Sequence, residues 1–276
     1  ILITGAESTG LRVDGLSTIT NTGTIELQQD VLGNYPTDTQ GIIVTNGATG
    51  NNSGIINLVG DRSVGIYNNN GIVNISGGSV TVNANQSVGV YSKGNLSNTS
   101  ITGGVVEATG SASGSAVALY AEDSVINLDN GATIKANDNG ILFYTSFTGL
   151  APTGSFNLVS GTVQAEIGAG GTGFYQKGDS SDAGIQTFLN SIFTGAGTLN
   201  VNLTDQSARL FVIESTGGTT NLSSLVPGSL TMLTGTKVNV DPLSVTSFST
   251  FLINKGELII DQNVDLDNPN DAYNNS

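Results

Sequence analysis

The chain has 276 residues, 8 Lys plus Arg against 22 Asp plus Glu, a net charge of −14, and no His, Cys or Trp. This excludes a Ser-His-Asp triad, a Cys nucleophile, a Cys/His zinc site and any disulfide. Three Arg (Arg12, Arg62, Arg209) do not build the clustered cationic surface that nucleic acid or an anionic membrane requires.

Gly, Asn, Ser and Thr make up roughly half the chain, as in a flexible linker. Yet 37% of the residues are hydrophobic, rich in Val, Ile and Leu and evenly spread, which is enough for a core. No apolar run reaches the ~18 residues of a membrane-spanning helix. The opening Ile1-Leu2-Ile3-Thr4-Gly5 has no basic region and no long apolar stretch, so it is not a signal peptide. It reads as a strand inside a piece of a larger protein.

In chain order, one short pattern keeps returning. Gly10-Leu11-Arg12-Val13 is followed by Gly41-Ile42-Ile43-Val44, then Ser63-Val64-Gly65-Ile66-Tyr67 and Ser87-Val88-Gly89-Val90-Tyr91. Looser copies are Ala116-Val117-Ala118-Leu119-Tyr120, Asn139-Gly140-Ile141-Leu142-Phe143 and Gly171-Thr172-Gly173-Phe174-Tyr175. Markers at 10, 41, 65, 89, 118, 140 and 173 are spaced by 31, 24, 24, 29, 22 and 33 residues. The unit is therefore about 22 to 24 residues, with insertions.

A second pattern lies between these markers. Asn21-Thr22-Gly23-Thr24-Ile25-Glu26-Leu27 matches Asn52-Ser53-Gly54-Ile55-Ile56-Asn57-Leu58 and Asn69-Asn70-Gly71-Ile72-Val73-Asn74-Ile75. It continues at Ser124 to Leu128, Gly154 to Leu158, Gly197 to Val201 and Gly256 to Ile260. A third strand starts at Gly78, Gly104, Gly131 and Gly161.

Alternation of Val, Ile and Thr signals strands rather than helices. Three short strands in 22 to 24 residues fit one coil of a parallel β-helix, whereas a propeller blade needs four strands in about 40 residues. The predicted fold is all-β: a right-handed parallel β-helix of about ten coils, roughly 50 Å long at ~4.8 Å per coil. It spans residues 1–262, with an acidic terminal tail over 263–276. Gly and Asn supply the positive φ of the corners, and stacked Asn side chains form ladders.

Within a strand, alternation groups Val64 with Ile66 and puts Tyr67 on the opposite face. The outward column is then Arg12, Ile43, Tyr67, Tyr91, Tyr120, Leu142 and Tyr175. Its tyrosines Tyr67, Tyr91, Tyr120 and Tyr175 are the candidate ligand-binding residues. Two readings stay open: an exposed aromatic face that stacks on sugar rings, or a ladder that holds the coils together. Residues 179–195 break the pattern, with Ala183, Ile185, Phe188, Leu189, Ile192 and Phe193 at helical spacing. They predict a short inserted helix near 182–193, capped by Ser181 or Asp182 and lying against the coils.

The pairing of Asn-x-Gly-x-Ile with Ser-Val-Gly-Ile/Val-Tyr resembles the passenger repeats of large bacterial autotransporter adhesins of the fusobacterial outer-membrane type. The resemblance covers about residues 8–178. It implies a passenger on the bacterial cell surface, tethered to the outer membrane by a C-terminal β-barrel of the parent. The implied partners are glycans or proteins of host or bacterial cell surfaces. No ligand-binding residue carries over, because the shared motif is structural. The absence of Cys suits a passenger exported unfolded.

Other chemistry is weaker. Gly178-Asp179-Ser180-Ser181 is similar to a serine-protease motif, but the chain holds no His to act as base. Glu122 and Asp123 adjoin, yet neighbours on a strand face opposite sides, so they are not an acid–base pair. Arg62 is the one Arg beside an acid, Asp61. The tail acids Asp261, Asp265, Asp267 and Asp271 lack the Gly and Glu of an EF-hand. No catalytic residue, metal site or cofactor is predicted. The expected function is non-enzymatic adhesion. A structural stalk, or a polysaccharide-cleaving β-helix, is the alternative.

Overall fold

The computed structural model describes residues 1–111, 115–178, 182–205, 208–214, 230–231, 237–241, 251–254, 258–259 and 274–275. The fold is a parallel β-solenoid. Each coil has three faces. The first face stacks Thr9–Asp14, Gln40–Thr45, Val64–Asn69, Ser87–Lys93, Ala116–Glu122, Gly140–Thr145 and Thr172–Lys177, which is six complete turns. Arg209–Glu214 and Phe251–Asn254 extend that sheet to 9 strands. Among the described residues the first face holds nine strands against the ten coils expected, because excursions at several corners consume chain. The acidic tail from 263 lies outside the described residues, except that Asn274–Asn275 pair antiparallel with Leu258–Ile259.

The second and third faces share one sheet. Thr18–Asn21, Thr49–Asn52, Ile72–Ile75, Asn98–Ile101 and Val125–Leu128 stack on the second. Thr24–Leu27, Ile55–Leu58 and Ser79–Val82 stack on the third. The second sequence pattern thus mixed two faces. The segments beginning at Thr24, Ile55 and Thr198 belong to the third face, while those at Ile72, Val125 and Ser155 belong to the second. The two faces look alike because the same Asn/Gly corner precedes the same alternation.

Polar residues hold the corners from inside. Asn68 Oδ1 accepts from the Gly71 amide at 2.9 Å, and its Nδ2 donates to Gly71 O at 3.1 Å and to Thr99 Oγ1 at 2.9 Å. At the opposite corner Thr39 and Ser63 hydroxyls meet at 2.8 Å, and the Ser63 amide donates to Ser87 Oγ at 3.1 Å. All four of Asn68, Thr39, Ser63 and Ser87 are buried, so these bonds satisfy groups that burial would otherwise penalise. Asn21 Nδ2 donates to Asn52 Oδ1 one coil away at 2.8 Å, an internal Asn ladder.

The marker glycine has a steric reason. A Cβ on Gly65 would lie 2.4 Å from Val80 Cγ1 and 2.5 Å from Gly89 O. Position 65 therefore points into the coil, as does Ile66, which shares its column with Val90, Leu119 and Phe143. Two consecutive residues face inward, and the strict alternation that groups Val64 with Ile66 is interrupted at Gly65.

The sixth coil departs from this rule. Gly140 pairs with Ala116 and Phe143 with Leu119, so the marker position there is Leu142 and not Gly140. On the facing third-face column, Ile25, Ile56, Val80, Val106 and Ile134 give way to Ala165 in that same coil. From the Gly10 coil to the Gly173 coil large meets small, with the order reversed once. The core also changes character here. Phe143, Phe156, Phe174, Phe193 and Phe211 are fully buried, with Phe143–Phe156 centroids 5.0 Å apart and Phe174–Phe211 5.1 Å.

This volume exchange is testable. Ala165→Ile should overpack the coil and cost about 1–3 kcal/mol. Adding Leu142→Ala should recover part of that loss, so the double variant melts above the Ala165→Ile single variant in thermal denaturation. A double variant that melts at or below the single one would show that the two positions do not share a space.

Candidate functional site

The tyrosine column is real and longer than the sequence pattern implied. Tyr67, Tyr91, Tyr120, Tyr144 and Tyr175 occupy one column, with Ile43 before it and Val212 after. Tyr144 replaces Leu142 as the member from the sixth coil. Ring centroids are 5.2 Å apart for Tyr67–Tyr91, 4.5 Å for Tyr91–Tyr120, 4.9 Å for Tyr120–Tyr144 and 5.5 Å for Tyr144–Tyr175. The central pair is parallel within 3°. Coils one strand spacing apart bring these rings into stacking range without further adjustment.

The column is not an exposed stacking surface. Tyr91 is 1% exposed, Tyr120 and Tyr175 are 0% exposed, and Tyr67 alone is half-buried. Tyr91 donates its hydroxyl to Glu122 Oε2, and Glu122 Oε1 lies 3.3 Å from Lys93 Nζ. Burial, then the neighbouring Tyr120 and the Glu122 charge, push the Tyr91 phenol far above its ordinary value of 10.0. Of the two readings of these tyrosines, the burial and geometry match the ladder.

Two insertions build a second feature at the corner after the first face. The hairpin Phe147–Thr148 with Ala151–Pro152 leaves the sixth coil. The helix Asp182–Ile192 leaves the seventh, at the place the helical spacing predicted. Its Phe188, Leu189 and Ile192 are buried, while Ser181 lies outside the described residues. Phe147 joins the parts: its ring is 6.3 Å from Phe188, 6.4 Å from Tyr144 and 6.2 Å from Tyr175, with Lys177 Nζ 5.9 Å from its centroid.

Between hairpin and helix lies a cavity of about 540 Å³. Leu150, Pro152 and Phe188 give it apolar walls, and Gln176, Lys177 and Ser191 line its polar side. That is within the usual size of small-ligand sites, about 300–1,000 Å³. None of the predicted tyrosines lines it. Its hairpin wall has no repeat signal, because Leu150, Ala151 and Pro152 sit in a stretch outside the pattern. The available signal was the 33-residue spacing from Gly140 to Gly173, which exceeds one coil.

The remaining candidates are placed as follows. Arg62 pairs with Asp38 in the preceding coil, through Nε–Oδ1 and Nη2–Oδ2 contacts both of 2.6 Å, rather than with its neighbour Asp61. Partial burial raises the Asp38 pKa, but the Arg62 and Thr37 hydrogen bonds and the Arg62 charge outweigh it and hold the carboxyl below 3.8. Asp61 Oδ1 accepts from the Asn85 amide at 3.0 Å. Glu122 serves Tyr91 and Lys93, while Asp123 turns away at a positive φ of 49°. Glu166 pairs with Lys135 at 2.6 Å. Among the described residues no group of three or more Asp or Glu is placed to hold a metal ion. Asp179 to Ser181 and the tail acids lie outside the described residues.

The class that this geometry defines is a β-solenoid carrying a cavity on corner insertions. Compared with known proteins, the chain matches no family model, no curated sequence and no solved structure.

The ladder makes two predictions. Tyr120→Ala should cost about 3–5 kcal/mol and Tyr67→Ala clearly less, measured by urea or thermal unfolding. Equal losses would mean the column does not stabilise through its buried centre. In an alkaline absorbance titration, Tyr91 should keep its proton while exposed tyrosines ionise. The folded state then holds a proton that the unfolded state releases, so stability falls as pH rises past about 10. A native chain in which all 7 tyrosines ionise together near 10 would contradict this.

Proposed function

We propose that this chain is a non-enzymatic binding segment of a bacterial surface adhesin, a rigid rod that holds a recognition surface for cell-surface glycans or proteins away from the cell. The observation that carries this reading is the cavity between the hairpin and the helix, held on a stacked scaffold. Loops on rigid supports are where recognition concentrates. Lys177 and Gln176 come from the strand itself, so the polar side is anchored in the stack while the hairpin and the helix supply the two apolar walls. The passenger-like repeats support display outside the cell, with an outer-membrane barrel in the parent chain.

The stalk reading keeps one specific support. The tyrosines that suggested a sugar-stacking surface are buried in the ladder. The polysaccharide-cleaving reading is disfavoured by the acids themselves, since Asp38, Glu122 and Glu166 are each held in an ion pair.

The test applies the folded chain to a glycan array and to intact bacterial and host cells. Binding is expected, and Leu150→Ser with Lys177→Ala should reduce it at least tenfold with an unchanged melting temperature. Absence of binding to every surface would leave a stalk. Release of reducing ends from any polysaccharide would make the protein an enzyme.

A further inference from the structure

The chain carries a second exposed feature, at the other end of the described coils. Between Thr24–Leu27 and Gln40–Thr45 the chain makes an excursion whose tip is Val31-Leu32. Both side chains are fully or almost fully exposed, and they are consecutive. The tip is ordered. Asp30 Oδ1 accepts from the Leu32 amide at 2.8 Å and the Asn34 amide at 2.9 Å, the Gly33 amide donates to Asp30 O at 3.1 Å, and Gly33 takes a positive φ of 85°. Hydrogen bonds from the Asn34 and Leu32 amides hold the Asp30 carboxyl below 3.8, so it is ionised at neutral pH. The tip is thus a fixed unit of one carboxylate followed by two aliphatic side chains.

The corner cavity has the complementary form. Its walls at Leu150, Ala151, Pro152 and Phe188 are apolar, and the charged residue lining it is a cation, Lys177. The match is of two kinds, aliphatic against aliphatic and carboxylate against ammonium, on a chain whose net charge is −14. The tip leaves between the first and second coils and the cavity lies at the sixth and seventh. That separation is about five rungs of ~4.8 Å, on the order of 24 Å, too far for both to meet within one molecule.

We propose that the cavity receives the Asp30-Val31-Leu32 tip of a second copy of this chain, giving a head-to-tail contact between rods. Tip and cavity are different surfaces, so the contact is heterologous: each molecule still offers a free tip at one end and a free cavity at the other. Successive contacts would join rods into open chains rather than a closed dimer. The tip and a cell-surface ligand would occupy the same cavity and so compete for it.

The test is sedimentation velocity of the complete chain over a wide concentration range at about 0.15 M salt, where the repulsion between acidic surfaces is screened beyond ~8 Å. Wild type should show a distribution of oligomers that grows with concentration. Val31→Ser with Leu32→Ser removes the tip, and Ala151→Trp fills the cavity from an exposed position. Each variant should remain monomeric, with apparent affinity reduced at least tenfold and melting unchanged. Mixing the two should restore a 1:1 dimer and nothing larger, because one intact cavity and one intact tip remain. Leu32→Ser alone, at a side chain that supports nothing in the fold, guards against misfolding of the others. A wild type that stays monomeric throughout overturns the proposal. So does association that survives either variant, or a mixture that stays monomeric. Failure here leaves binding to glycans and cells to be judged on its own assay.

Discussion

Neighbouring parallel strands must lie one hydrogen-bonding distance apart, and in a solenoid every residue therefore sits over its counterpart in the next coil. The rest of the molecule depends on this constraint. A residue that suits one coil must suit the column above and below it. Tyr67, Tyr91, Tyr120, Tyr144 and Tyr175 become a ladder because their register sets each ring directly over the next. Thr39, Ser63 and Ser87 become a stacked polar column for the same reason, Thr39 and Ser63 joined through their hydroxyls and the Ser63 amide donating to the Ser87 hydroxyl. The spacing also explains the glycines, since an inward side chain at position 65 would collide with Val80 of its own coil and with the backbone of the next.

Much of this was legible as repetition. The Ser-Val-Gly-Ile/Val-Tyr motif marks the first face, and its 24-residue spacing already sets the coil size. Three features were not legible, each for a physical reason. The second and third faces were merged because their corners make the same demand, an Asn or Gly before an alternating strand, and composition does not number the corners. Gly140 reads as the marker because a glycine there looks like its counterparts. Only pairing shows that Leu142 holds the position, against Ala165 on the facing strand. Inward and outward are likewise decided by volume across the core, which a strand read alone does not contain.

The tyrosine column shows the limit of reading function from a pattern. A recurring aromatic is compatible with a binding face and with a stacking ladder, and both place it at the same residue of every coil. Burial separates them. Tyr91 has a tilted ring on one side, a stacked ring on the other and a hydroxyl bonded to Glu122, so its chemistry is spent inside the protein. The helix was legible for the opposite reason. Its apolar spacing departs from the strand pattern, and Phe188, Leu189 and Ile192 do form its buried face.

The same constraint decides where recognition can arise. Strand positions are committed to their columns, and a change at one coil is felt by two neighbours. Corners are not committed, because a loop of any length can leave and return provided its ends stay one rung apart. The cavity follows that logic: its apolar walls come from a hairpin and a helix inserted at the same corner of successive coils, while its polar side is fixed by Gln176 and Lys177 at the end of a strand. The Asp30 tip obeys it as well, standing at another corner on an excursion closed by the Asp30–Asn34 backbone bond of 2.8 Å. A regular stack thus supplies rigidity, and its irregular corners supply the surfaces on which one rod can differ from another.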